Sequence, residues 1–87
     1  MYVMRLEAYG NPDHGENPFV KVCKSKRVWS ESIEVLQDAM RKYIDDNDLS
    51  AGNISMVNVF DKETKEFVGQ ISYNGRFWKD GYRGGVK

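Results

Sequence analysis

The chain is short of the side chains that carry covalent and metal chemistry: 87 residues hold one cysteine and one histidine. A lone Cys23 forms no intramolecular disulfide, which fits a reducing cytosol. As a nucleophile it would need a base, and His14 is the only imidazole on offer. Packing as a small hydrophobe on a strand is the better account of Cys23. His14 sits in a loop beside Asp13, too few convergent ligands for a metal site. Charge of one sign is missing as well. The 13 basic and 13 acidic residues cancel, which argues against the broad cationic footprint of a general duplex binder.

Long apolar runs are absent too. No stretch nears the ~20 residues of a transmembrane helix, and Met1–Tyr9 is interrupted by Arg5 and Glu7, so no signal peptide is read. The expected location is cytoplasmic, with no membrane partner, and the glycosylation sequon Asn53-Ile54-Ser55 is then fortuitous. Gly81-Tyr82-Arg83-Gly84-Gly85 lacks the strand–turn–helix setting of a phosphate loop. Asp46–Gly52 approaches a calcium loop but carries Ala51 at the glycine position and Val57 at the bidentate glutamate position. These gaps predict no metal, no cofactor and no enzymatic activity.

What is present is organised around Ser30–Asp46. Ile33, Leu36, Met40, Tyr43 and Ile44 recur at helical spacing, with Ala39 beside them, as one apolar stripe. Ser30 is the expected N-cap, Glu31 and Glu34 suit the positive end of the helix dipole, and Asp38–Lys42 is a favourable i,i+4 pair. Asp45 and Asp46 oppose the dipole at the other end. That end therefore needs tertiary support, with the helix stopping near Asn47 and Leu49 folding back over it.

On either side the pattern is strand and turn. Tyr2–Tyr9 alternates, with Tyr2, Met4, Leu6 and Ala8 on one face and Val3, Arg5, Glu7 and Tyr9 on the other. Gly10–Pro18 stacks turn formers. Phe19–Val28 reads as the second strand, with Val20, Val22 and Val28 pointing one way. Ile54–Phe60 and Phe67–Tyr73 follow the helix, joined across the wholly polar Asp61–Glu66. Asn74-Gly75 is the strongest turn signal. A two-residue type I′ turn there would pair Tyr73 with Arg76 and Ile71 with Trp78, setting Ile71, Tyr73, Arg76 and Trp78 on one face and Phe77 on the other. The tail Asp80–Lys87 reads as frayed. The order predicts one domain over 1–87, a two-layer α+β fold. Its antiparallel sheet of four to five strands (β-β-α-β-β, with a short fifth strand) packs on one helix.

Two surfaces stand out as binding candidates. The outer helix face carries Glu34, Asp38, Asp45 and Asp46, able to dock on a basic protein; the bland account is ordinary solvation. The terminal hairpin interleaves aromatics and cations, Tyr73, Arg76, Trp78, Lys79 and Arg83. That is the combination on which single-stranded nucleic acid stacks and neutralises its phosphates. The bland account is a hairpin whose aromatics complete a small core. The run from the helix through Ile71-Ser72-Tyr73-Asn74-Gly75-Arg76-Phe77-Trp78 resembles small uncharacterised proteins of bacterial phages and mobile elements. The resemblance rests on a turn signature and carries over no functional residue. It implies a small accessory protein, an inhibitor of a host system of the anti-CRISPR kind. The expected function is therefore non-enzymatic binding of a macromolecule, first of all a protein partner. The alternative is single-stranded nucleic acid held by the hairpin. A homodimer through an exposed edge strand is compatible with the same pattern.

Overall fold

In the computed structural model, residues 1–54 and 56–80 are described. Along the chain come β1 (Tyr2–Leu6), one turn of 3-10 helix (Pro12–His14), β2 (Lys26–Ser30), α1 (Ile33–Asp46), β3 (Val57–Asp61), β4 (Phe67–Ile71) and β5 (Phe77–Lys79). The strands form one sheet in the spatial order β2-β1-β3-β4-β5, antiparallel at every junction. This is the expected α+β architecture of one sheet and one helix.

Alternation in β1 decides which side of the sheet meets the helix. Met4, Leu6 and, just beyond the strand, Ala8 are fully buried, and they are joined by Val57 and Val59 of β3 and Ile71 of β4. Leu36, Met40, Tyr43 and Ile44 of α1 close over them. Removing each of the Met, Leu, Val and Ile side chains among them from water stabilises the fold by about 1.5–3 kcal/mol. The shortest dimension of the molecule is 19 Å, about one helix stacked on one sheet. Among the described residues, nothing is layered on the opposite face of the sheet.

The C-terminal end of α1 is held as its acidic composition requires. Asp48 N–H donates to Asp45 C=O at 3.3 Å and Leu49 N–H to Ile44 C=O at 3.0 Å, a Schellman arrangement that satisfies two otherwise open carbonyls. Leu49 is buried against the core as the expected hydrophobic cap. The position that needs a left-handed backbone is occupied by Asp48, at φ 51°.

Several local expectations are corrected. The second strand is not Phe19–Val28 but Lys26–Ser30. Val20 and Val22 are exposed, and only a single bridge, Tyr9 to Lys21, continues the pairing beyond Leu6–Lys26. Two more residues lie on the β2 side of that interval than on the β1 side, so the segment buckles. The buckle is pinned from the helix, since Tyr43 Oη donates to Lys24 C=O at 2.7 Å and lies 3.2 Å from Cys23 Sγ. Burial pushes the Tyr43 phenol far above its usual pKa, so it stays a donor.

The helix begins at Ile33 after Ser32, not after Ser30. Ser30 is committed to β2, opposite Tyr2, and its Oγ accepts from Ser32 N–H at 3.1 Å. Lys42 reaches forward to Asp46 at 3.1 Å rather than back to Asp38. The third strand starts at Val57 and the fourth stops at Ile71, both shorter than the alternation implies.

The largest correction is the terminal hairpin. Ile71 faces Phe77, and Gln70 faces Trp78. Ser72 N–H donates to Arg76 C=O at 3.0 Å and Gly75 N–H to Ser72 C=O at 2.8 Å. The loop is therefore three residues, Tyr73-Asn74-Gly75, with only Gly75 left-handed at φ 86°. A one-residue slip exchanges the faces: Phe77 turns to the core, and Trp78 turns away from it. Of the tail expected to fray, Asp80 donates its N–H to Val68 C=O at 3.0 Å, and residues 81–87 lie outside the described residues.

Two substitutions follow from the left-handed positions. Asp48→Gly is expected to stabilise the protein by about 0.5–1 kcal/mol, because it relieves the backbone and removes a negative charge from a helix C-terminus. Gly75→Ala is expected to cost more than about 1 kcal/mol, since φ is unfavourable and the new Cβ would stand 3.0 Å from the Arg41 stem. Urea midpoints of the two variants check both signs.

Candidate binding face

The uncovered side of the sheet is built by the residues that alternate with the core. In β1 these are Val3 and Arg5. Register then aligns neighbours across the strands: Val3 faces Trp29 on β2 and Phe60 on β3, and Phe60 faces Phe67 on β4. Phe67 belongs to this row because of a bulge. Val59 pairs with Gly69 but Phe60 pairs with Phe67, so Val68 is an extra residue that packs against the core and restores Phe67 to the outer side. Trp29–Val3–Phe60–Phe67 is thus a continuous apolar row across four strands. Trp29 is 54% exposed, and Phe60 and Phe67 are also exposed. The two phenylalanine rings meet edge to face, 6.0 Å apart.

Beside this row runs a polar and cationic one. Arg5 stands directly opposite Arg27, a like-charge cross-strand pair that destabilises a ladder unless an anion relieves it. Arg5 is partly relieved by Glu7, with Nε 2.6 Å from Oε2; among the described residues Arg27 has no ion-pair partner. Farther along, Gln70 Nε2 donates to Asn58 Oδ1 at 2.8 Å, and Trp78 lies opposite Gln70. The Arg76 guanidinium covers the Trp78 ring at 4.4 Å, a cation–π contact.

An open cleft of about 850 Å³ lies on this side, floored by Val3, Arg5, Trp29, Asn58 and Phe60 and approached by Lys62 and Lys65. Its end wall is the Gly10–Pro18 loop locked to the turn at 50–53. Asn11, the buried polar residue among the described residues, donates its N–H to Glu16 Oε1 at 2.8 Å and its Nδ2 to Ser50 Oγ at 3.3 Å. Asn53 Nδ2 donates to Tyr9 C=O at 2.9 Å and to Glu16 Oε1 at 3.2 Å. The sequon asparagine is therefore spent on structure. The Asn11 N–H, and then the Asn53 amide, hold the Glu16 carboxyl below its ordinary pKa.

The residues expected to form binding surfaces are divided by the fold. On α1, Glu34 and Asp38 are exposed, but Asp45 and Asp46 are each matched by a cation one turn back, Arg41 at 3.8 Å and Lys42 at 3.1 Å. In the terminal hairpin, Arg76 and Trp78 come together on the open face. Tyr73 does not join them: it packs against the core, donates from Oη to Leu49 C=O at 3.1 Å, and lies under Arg41. Lys79 pairs with Gly69, on the side opposite Trp78, and Arg83 lies outside the described residues. Sequence reasoning missed Trp29, Phe60, Phe67 and Arg27 as one surface. The signal available was the outer alternation of Tyr2–Tyr9, which already set Val3 and Arg5 together.

Among the described residues, no three His, Cys, Asp or Glu side chains gather closely enough to hold a metal ion, and no helix is long and apolar enough to cross a membrane. No protein-family model, curated protein or solved structure matches the chain.

The Glu16 brace makes a pH-dependent prediction. A carboxyl with a depressed folded-state pKa stabilises fully above its unfolded value, roughly 4.3, and that contribution is lost as pH falls through the folded value. Glu16→Ala should therefore lower stability at neutral pH and flatten the decline between about pH 5 and 3. The Glu7 and Asp61 carboxyls, also lowered, keep a residual slope. Urea midpoints across that range measure it.

Proposed function

We propose that this chain is a non-enzymatic cytoplasmic binding protein whose open sheet face takes an extended single strand of nucleic acid. The observation that carries the reading is the Arg5–Arg27 pair set directly across two strands, beside the exposed row Trp29–Val3–Phe60–Phe67. Aromatic faces offer stacking platforms for bases of any identity, and adjacent guanidinium groups track phosphates. Two like charges held face to face cost stability in the empty protein, and a bound phosphate reverses that sign. Zero net charge agrees with a local strand-sized footprint rather than a duplex-sized one.

The binding surface expected from sequence on the terminal hairpin thus contributes its Arg76–Trp78 stack, while the larger share moves to β1, β2 and β3. The free thiol of Cys23, seated against the Tyr43 phenol, suits a reducing compartment.

A second reading, a protein partner docked on the acidic side of α1, is favoured by one feature. Val35 is exposed between Glu34 and Asp38, beside a shallow groove that runs to Asn74 and Gly75. A basic partner carrying one apolar side chain fits there, as would a host component targeted by a phage-type inhibitor.

Titration with a short oligothymidylate at low salt, read by tryptophan fluorescence and mobility, separates the two. Wild type is expected to bind with fluorescence quenching. Trp29→Ala should weaken binding about 5- to 100-fold, and Arg27→Gln should make the salt slope shallower by about 0.7. Glu34→Lys should leave strand binding intact. A wild-type protein whose fluorescence and mobility ignore the oligonucleotide would sink the strand reading.

A further inference from the structure

Within the open cleft, one carboxylate gathers three donors. Arg5 Nε lies 2.6 Å and Lys21 Nζ 3.5 Å from Glu7 Oε2, and Tyr9 Oη donates to Glu7 Oε1 at 3.2 Å. The grouping is produced by the backbone. Arg5, Glu7 and Tyr9 fall on the same face by alternation, and the isolated Tyr9–Lys21 bridge brings Lys21 alongside. Lys21 is further steadied by Ser25 Oγ at 2.8 Å. Arg5, Glu7 and Tyr9 all line the cleft. A guanidinium, an ammonium and a phenol converging on one pair of carboxylate oxygens form an anion site. The protein's own side chain fills it.

We infer that Arg5, Lys21 and Tyr9 form a phosphate subsite of the open face, and that Glu7 occupies it as an internal competitor that an incoming phosphodiester displaces. The inference rests on the strand-binding function proposed above and adds a mechanism that regulates it. No covalent bond is made or broken. Two cations and one carboxylate leave a single positive charge in the empty site. A phosphodiester that takes the carboxylate's place recovers the same donors, and Glu7 swings out to water. Because the exchange is of like for like, strand binding gains little at this point in the wild-type protein. The net attraction comes from Arg27, whose repulsion with Arg5 a phosphate relieves, and from the aromatic row. Glu7 thus keeps the face from holding any passing anion and reserves it for a ligand that also stacks.

Glu7→Gln removes the competing charge while keeping a side chain of the same size. Oligothymidylate titrations of wild type and Glu7→Gln, each at several salt concentrations, are the test, with thermal unfolding used to verify that both are folded. The variant is expected to bind about 3- to 10-fold tighter, with a salt slope steeper by about 0.7, because no displaced carboxylate takes up a cation in exchange for the one the phosphate releases. In the double variant Arg5→Gln/Glu7→Gln the gain should vanish, because Arg5 is the donor released. If both proteins bind and Glu7→Gln is no tighter or is weaker, Glu7 serves to orient Arg5 and the competitor role is overturned. If neither binds, the strand-binding function itself fails and this inference falls with it. Should Glu7→Gln unfold, Glu7→Ser replaces it, with the same outcomes decisive.

Discussion

One helix must serve five strands. A 14-residue helix is about 21 Å long and 10 Å wide, so it covers one face of the sheet and leaves the other to water. Everything else in the molecule adapts to that shortage of cover. The core takes the residues that alternate inward, Met4, Leu6, Val57, Val59 and Ile71. The outward set meets solvent and is nevertheless aromatic in one row and cationic in the next. A solvated antiparallel face is ordinarily polar. One that exposes Trp29, Phe60 and Phe67 together departs from that rule, and the proposed binding function rests on that departure.

The irregularities of the sheet are where this face is made. The bulge at Val68 restores Phe67 to the outer row. The three-residue turn at Tyr73–Gly75 sends Trp78 outward and Phe77 inward. The buckle at Val22–Ser25, held by the Tyr43 phenol, lets Lys21 reach Glu7 while Lys26 resumes regular pairing. The bulge and the turn each shift a simple two-residue repeat by one residue and so change which side chain is presented, while the buckle inserts two and keeps the face.

That pattern also explains what could be read in advance. The helix stripe from Ile33 to Ile44, the inward set of β1, the Leu49 cap and the polar hairpin after Asp61 are local signals and were legible. So was the antiparallel α+β architecture, since alternation and short polar loops dictate it. Register was not. Whether Trp29 stands across from Val3, or Trp78 from Gln70, depends on bulges and turn types that side chains distant in sequence decide, as Tyr43 does for Lys24. The candidate site suffered accordingly. It is assembled from all five strands, so only the Arg76–Trp78 pair, near neighbours along the chain, and the shared outer face of Val3 and Arg5 were within reach. The acidic helix face was legible residue by residue, but not the pairing of Asp45 and Asp46 with Arg41 and Lys42.

Among the described residues, the acids of α1 (Glu34, Asp38, Asp45 and Asp46) outnumber its cations Arg41 and Lys42, while the open sheet face sets Arg5, Arg27 and Arg76 against Glu7, so the two faces of a chain with no net charge differ in sign. In the field of a polyanion such a body feels little pull until it is close, and a torque well before that. It turns before it is drawn in. Under the proposed strand binding, the sheet would arrive first and the acidic helix would trail, so that encounters begin in a productive orientation. Salt, by shortening the range of that field, would spoil the aim before it weakened the grip.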